Sequence, residues 1–206
     1  MDNKAYLDQI AVKGKVKSSG PILTPIMIKL IVAGVVALLT IIIVAAVING
    51  ANAKVTQSFE RVYLRISNLS SDNYDNPITA YAEKIHDSNL RSYVDLLTST
   101  ISSSKTSLDG IIGTIGVKPE AISKEVSEAE SANLQTLTSE LEEGELSGTL
   151  DHVYASDAYY QITTLLQYEA EARKKTNNQQ FADILDSSTR DLKILQENFH
   201  NWSNAH

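Results

Sequence analysis

Hydrophobic positions recur at alternating steps of four and three residues through most of the chain. This is the spacing of amphipathic helices that pack against one another. One clear seam consists of Phe181, Leu185, Ser188, Leu192, Leu195, Phe199 and Trp202. Another consists of Leu90, Val94, Leu97, Ile101, Ser104, Leu108, Ile111 and Ile115. No alternating apolar run typical of a strand occurs, so the pattern predicts an all-α fold.

Three further segments carry the same period. Their seam positions are Val55, Phe59, Val62, Ile66 and Leu69; Ile122, Val126, Ala129, Leu134, Leu137 and Leu141; and Tyr154, Ala158, Ile162, Leu165, Tyr168 and Ala172. Start and stop signals predict helices over about 51–69, 77–113, 119–143, 149–175 and 178–202. Asn76 before Pro77 supplies an N-cap, and Asp87 with Ser88 offers a second start, so the 77–113 helix is continuous or restarts there. Short connections favour an up-and-down bundle of four or five helices.

Residues 26–48 break the amphipathic pattern. Of these 23 residues only Lys29, Gly34 and Thr40 are not strongly apolar. A helix of this length extends about 34 Å and matches a hydrocarbon core of roughly 30 Å. The segment therefore predicts a single transmembrane helix, retained as a signal anchor, between a polar arm at 1–25 and a helical domain at 51–206.

Two processing signals offer alternatives to an uncleaved anchor. Ala51-Asn52-Ala53 fits the small-x-small pattern of a cleavage site, so removal of the anchor after Ala53 stays open. Ser18-Ser19-Gly20 before an apolar helix is similar to a type IV prepilin leader. Pro25 stands where that leader carries a glutamate, and the sequence therefore favours an ordinary anchor.

The charges on the two sides of the apolar segment differ in sign. The arm carries more lysines than aspartates, namely Lys4, Lys13, Lys15 and Lys17 against Asp2 and Asp8. After the apolar segment, 13 Lys and Arg face 23 Asp and Glu. The positive-inside rule then leaves the N-terminus in the cytoplasm and exports the acidic domain. Because that domain has no basic stripe to neutralise phosphates, we expect no nucleic-acid partner.

Residue types that carry catalytic chemistry form no familiar arrangement. The absence of cysteine excludes disulfides, thiolate metal sites and a cysteine nucleophile. The sequence also has no phosphate-binding glycine loop, no Gly-x-Ser-x-Gly elbow and no His-Glu-x-x-His motif. We therefore expect no enzyme activity, no catalytic residues, no cofactor and no small-molecule substrate.

Two Glu-x-x-His matches, Glu83 with His86 and Glu197 with His200, raise a metal-binding alternative. A di-iron carboxylate bundle needs this motif on two helices and a Glu on each of two others, all pointing inward. In a continuous helix Glu83 and His86 fall on the Leu90 seam, whereas Glu197 and His200 point away from their seam. The incomplete set favours a domain without a metal site.

If the metal alternative holds, Glu83, His86, Glu197 and His200 are the ligands. Glu60 and Asp157 are then the next acids to consider.

Short motifs follow one another in a recognisable order between Ser88 and Trp202. They are Leu90-Arg91-Ser92-Tyr93, Leu108 with Gly116-Val117, an acidic helix, Leu150-Asp151-x-x-Tyr154, the segment 166–172 and a final Leu-rich helix. This order resembles a ferritin-like domain of unknown function found in bacterial envelope proteins, over just over half of the chain. The resemblance implies a ferritin-like fold, an exported location and a bacterial source.

These expectations describe a single-pass protein of the bacterial cytoplasmic membrane whose exported bundle serves structure, protein interaction or self-association. The tyrosines of the 149–175 helix bear on interaction. Tyr159 and Tyr160 point about 100° apart, so at least one is exposed, and exposed tyrosines suit interfaces. The alternative is a metal-dependent ferritin-like redox or metal-storage protein.

Overall fold

The computed structural model describes residues 55–70 and 76–206, which contain helices and no strand. This confirms the all-α prediction for the described part of the chain. Helix α1 covers 55–69, and a short 3-10 turn at Pro119–Ala121 precedes α4. The other helices are α2 Pro77–Ala82, α3 Ser88–Asp109, α4 Lys124–Ser147, α5 Leu150–Lys175 and α6 Gln179–Ala205.

The arm at 1–25, the predicted span at 26–48 and Ala53 lie outside the described residues. Within the described ranges, no helix has the length and apolar character needed to cross a membrane. The described residues belong to one compact unit.

The two clearest seams are confirmed, since every predicted member on α3 and on α6 is buried. Helix α6 packs against both α3 and α5, and α4 packs against α5. Consecutive long helices are joined by two residues between α4 and α5 and by three between α5 and α6, so these neighbours run antiparallel. The result is a helical bundle with one apolar core.

Helix α1 touches all four long helices. The ring of Phe59 meets that of Phe181 on α6 edge-on, with centroids 4.9 Å apart. The ammonium of Lys105 on α3 lies 5.4 Å from the ring centroid of Tyr63. Arg65 reaches α4 and α5 through buried polar contacts. Helix α1 is therefore part of the bundle core.

Of the two alternatives for 77–113, the continuous helix is wrong and the restart is confirmed, because the chain leaves the helix at Ala82 and re-enters one at Ser88. The side chain of Asp87 caps α3 by accepting the N–H of Leu90 at 2.7 Å. The alternative start at Ser88 is thus the one that the chain adopts.

Helix α4 continues past its predicted end at 143, because Gly144 lies inside the helix and Gly148 ends it with φ 73°. A Cβ atom on Gly144 would stand 3.0 Å from the Cβ of Val153 on α5. Glycine at 144 therefore permits close approach of two helices, and glycine at 148 supplies the left-handed C-cap.

The seams of α4 and α5 differ from prediction at two acidic positions. Glu130 and Glu169 are buried, whereas Ala129 is exposed and Tyr168 is half-buried. In each case the acid can occupy the core position because side chains on other helices donate hydrogen bonds to its carboxylate. Apolar periodicity alone does not contain that information.

Candidate functional site

All four residues of the Glu-x-x-His motifs are exposed. Glu83 ends α2 as its C-cap residue, and His86 lies in the turn that follows. The break after Ala82 removes both from the seam, so their predicted inward phase is wrong. Glu197 and His200 face solvent, as their phase on α6 predicts.

The described structure does not bring the two motifs together. A ring nitrogen of His200 lies 3.1 Å from the amide of Asn204, whereas Nδ1 of His86 lies 3.7 Å from a carboxylate oxygen of Asp151. Within residues 55–70 and 76–206, no group of three or more His, Asp and Glu side chains is placed to hold a metal ion.

The two additional acids are also engaged elsewhere. A carboxylate oxygen of Glu60 accepts the N–H of Ser123 at 3.3 Å. Asp157 on α5 lies close to the carboxylate of Glu140 on α4. Burial first, and then the nearby Glu140 charge, raise the pKa of Asp157 to about 7.

A cleft of about 640 Å³ opens where the turn after α2, the junction of α4 with α5 and the end of α6 come together. Three of the four histidines of the chain line it, namely His86, His152 and His206. Asp151 and Trp202 complete the set that we call the histidine cleft. The rings of Trp202 and His206 stack with centroids 4.4 Å apart.

Hydrogen bonds within the chain occupy the Asp151 carboxylate of this cleft and the carboxylate of Asp87, the residue that follows His86. Asp151 accepts the main-chain N–H of His86 at 3.0 Å and that of Asp87 at 2.8 Å. Asp87 accepts the N–H of Leu90 and, at 3.0 Å, the indole N–H of Trp202. The Leu90 bond, together with the weaker Trp202 bond, lowers the pKa of Asp87. These carboxylates therefore anchor the turn and the end of α6.

The Leu150-Asp151-x-x-Tyr154 motif has a structural role in this arrangement. The fully buried Tyr154 hydroxyl donates to the main-chain oxygen of Ile78 on α2 at 2.8 Å, and burial raises the pKa of Tyr154. Asp151 holds the next turn of chain. Both polar side chains of the motif thus fix the α2 region to α5.

A buried ion pair, which the periodicity did not predict, joins α1 to α4. Nε of Arg65 lies 2.8 Å from Oε2 of Glu130, with side chains only 3% and 2% exposed. Arg65 also donates to Gln161 on α5, and its guanidinium lies 5.5 Å from the ring centroid of Tyr168. Burial raises the pKa of Glu130 against the opposing effect of Arg65.

A buried carboxyl on α5 occupies a layer shared by three helices. Glu169 accepts the hydroxyls of Ser188 at 2.6 Å and Thr189 at 2.7 Å, and Ser104 on α3 donates to Ser188 at 3.2 Å. Burial raises the pKa of Glu169 to about 7, although the two hydroxyl bonds oppose the rise. We call these four residues the hydroxyl layer. Its sequence signal is the pair of serines within two otherwise apolar seams.

Neither a protein-family model, nor a curated protein, nor a solved structure matches this chain.

The double substitution Glu197→Gln with His200→Gln should leave both the melting temperature and the metal content unchanged. Both side chains are exposed, and surface substitutions usually change the free energy of unfolding by no more than about 0.5 kcal/mol. The checks are a thermal melt and elemental analysis of the full chain with and without added iron or manganese. Loss of bound metal in the variant would instead favour the ferritin-type alternative, with Glu83 and His86 as further ligands.

Proposed function

We propose that residues 26–48 anchor the protein in the bacterial cytoplasmic membrane and that residues 51–206 form an extracytoplasmic bundle with a structural or protein-interaction role. The apolar segment and the basic arm before it support the anchor and its orientation. The bundle is proposed to be ferritin-like. Four helices of 22 to 27 residues around one core, which are α3 to α6, support that arrangement.

The observation that carries the non-catalytic role is how the bundle uses its buried and half-buried polar groups. Arg65 pairs with Glu130, Tyr154 holds α2, and Asp151 holds the turn before α3. Each contact joins one segment of the bundle to another. Side chains of this kind fix a rigid scaffold, and a rigid scaffold presents its outer surface to a partner in one geometry.

The outer surface of α4 and α5 supports a protein partner. Helix α4 contains seven Glu and one Lys. Leu146 near its end is 89% exposed. Tyr160 on α5 is 60% exposed, so at least one residue of the Tyr159-Tyr160 pair is exposed, as the sequence predicts. Aromatic and apolar side chains among acids suit a partner that combines apolar and basic residues.

Single cysteines test the topology cleanly because the chain has none of its own. We expect a membrane-impermeant maleimide added to intact bacterial cells to label Ser139→Cys, which lies at an exposed position of α4. It should not label Ser19→Cys in the arm unless the cells are lysed. Labelling of Ser19→Cys with protection of Ser139→Cys would overturn the proposed orientation.

The interaction role is tested separately by a photo-crosslinking amino acid placed at Tyr160. We expect one discrete adduct, which mass spectrometry identifies either as another protein or as a second copy of the chain. The same amino acid at Glu171, an exposed position of α5, is the control. If Tyr160 gives no adduct, or if both positions give the same adducts, this surface no longer supports an interaction role.

A further inference from the structure

Within the described part of the chain, the hydroxyl layer places an acid without a cationic partner between three helices. Glu169 on α5 has no exposed surface, and among residues 55–70 and 76–206 only the hydroxyls of Ser188 and Thr189 donate to its two oxygens. Ser104 on α3 completes the layer through Ser188. A neutral carboxyl fits this position, whereas an ionised one is poorly solvated there because two hydroxyls replace the water that it loses.

The charged groups on the surrounding helices do not compensate Glu169. No cation among the described residues pairs with Glu169. Arg65 pairs with Glu130, Lys105 with Asp109, Arg173 with Asp186 and Lys175 with Glu171, and Arg190 on α6 is exposed. The acids Asp183 and Asp191 on α6 face solvent. Burial raises the pKa of Glu169, and the hydrogen bonds from the two hydroxyls lower it.

A groove of about 420 Å³ between α3 and α6 reaches this layer. Ser104 and Ser188 are part of its lining, together with further Ser, Thr, Gln and Asp side chains. Polar walls of this kind hold water. The groove therefore gives water a route to Ser188, the residue that donates to Glu169.

We propose that Glu169 is a proton-controlled latch: when it is protonated α6 packs tightly on α3 and α5, and when it ionises α6 loosens along the groove and admits water. The device depends only on the bundle and stands whether or not the chain is membrane-anchored. In an exported domain it would make the surface around α6 responsive to external pH.

The direction of the effect follows from proton linkage. The pKa of Glu169 is about 7 in the folded bundle and near its ordinary value of 4.5 when water reaches it. The closed state therefore holds the proton more tightly than the open state. The stabilising contribution is complete below pH 4.5 and is lost as the pH rises towards 7.

Amide hydrogen exchange of the full chain in detergent tests the latch at pH 5.5 and 8.0, after correction for the intrinsic effect of pH on exchange. We expect opening of the α6 amides around Ser188 to be on the order of tenfold more frequent at pH 8.0 than at pH 5.5. Glu169→Gln should remove most of this difference. Glu171→Gln, an exposed acid on the same helix, should keep it.

Two results would overturn the proposal. One is a wild-type chain whose corrected protection at α6 is equal at the two pH values. The other is a folded Glu169→Gln variant that keeps the wild-type difference.

Because Glu169→Gln itself risks a folding defect, Ser188→Ala gives an independent test. The Ser188 bond favours the ionised form, so its loss should raise the titration midpoint of the Glu169 carboxyl in carbon-detected NMR. An unchanged or lower midpoint would contradict the latch.

Discussion

Replacement of Leu192 with Asp is expected to unfold the bundle. Leu192 has no exposed surface and lies in the middle of the α6 seam, where α6 packs against both α3 and α5. Loss of a buried leucine costs about 2 to 5 kcal/mol, and a carboxylate without a partner in the same place adds to that cost. Domains of this kind have only about 5 to 15 kcal/mol of stability. Circular dichroism of the full chain at pH 7 should show no cooperative thermal transition.

Ile194 supplies a matched control two residues further along the same helix. Its side chain is 54% exposed, so Ile194→Asp introduces the same charge without burying it. We expect a cooperative transition near that of the wild type. Leu192→Asp and Ile194→Asp variants that melt alike would show that the packing of α6 differs from the one described.

Replacement of Arg65 with Met is expected to lower the free energy of unfolding by about 3 to 5 kcal/mol, because it leaves Glu130 buried without its partner. Arg65→Met combined with Glu130→Leu removes both charges, and the cost of desolvating each disappears with them. The double variant should therefore recover most of the loss. Urea denaturation of the wild type, the single variant and the double variant measures both steps.

Arg61 is the control for the charge alone. Its guanidinium lies 3.6 Å from Glu125 at the surface, where ion pairs contribute little. Arg61→Met should therefore change the free energy of unfolding by less than about 1 kcal/mol. An equal effect of the Arg61 and Arg65 substitutions would contradict a buried ion pair between α1 and α4.

Local signals predicted the two C-terminal helices well. Helix α5 was expected at 149–175 and occupies Leu150–Lys175, and α6 was expected at 178–202 and occupies Gln179–Ala205. Three basic residues close α5, and the side chain of Asn178 caps α6 by accepting the N–H of Phe181. These features act within one turn of helix, so they can be recognised from the local sequence.

The break between α2 and α3 depends on residues far along the chain. The Asp151 carboxylate receives two main-chain N–H groups of the turn, and the Tyr154 hydroxyl holds the carbonyl of Ile78. Partners more than 60 residues away are invisible to a local pattern. The inward phase assigned to Glu83 and His86 failed for that reason.

The buried acids show the same limit in another form. Glu130 stands four residues after Val126 and seven before Leu137, which is a core position by spacing. The predicted seam of this helix nevertheless contains the apolar Ala129 and not Glu130. Only Arg65, on a different helix, makes the buried position tolerable. A polar residue at seam spacing therefore signals either a surface position or an undiscovered partner, and the sequence does not distinguish the two.

Trp202 provides a fluorescence probe of one contact within the bundle. It is the only tryptophan of the chain, and its indole is stacked on His206 and bonded to Asp87. Its fluorescence therefore reports the contact between the end of α6 and the turn before α3. The hydroxyl layer at Ser188 lies 14 residues earlier on the same helix, about 21 Å away along its axis. Emission that stays constant while amides near Ser188 lose protection would locate the opening in the middle of α6, with its end still docked.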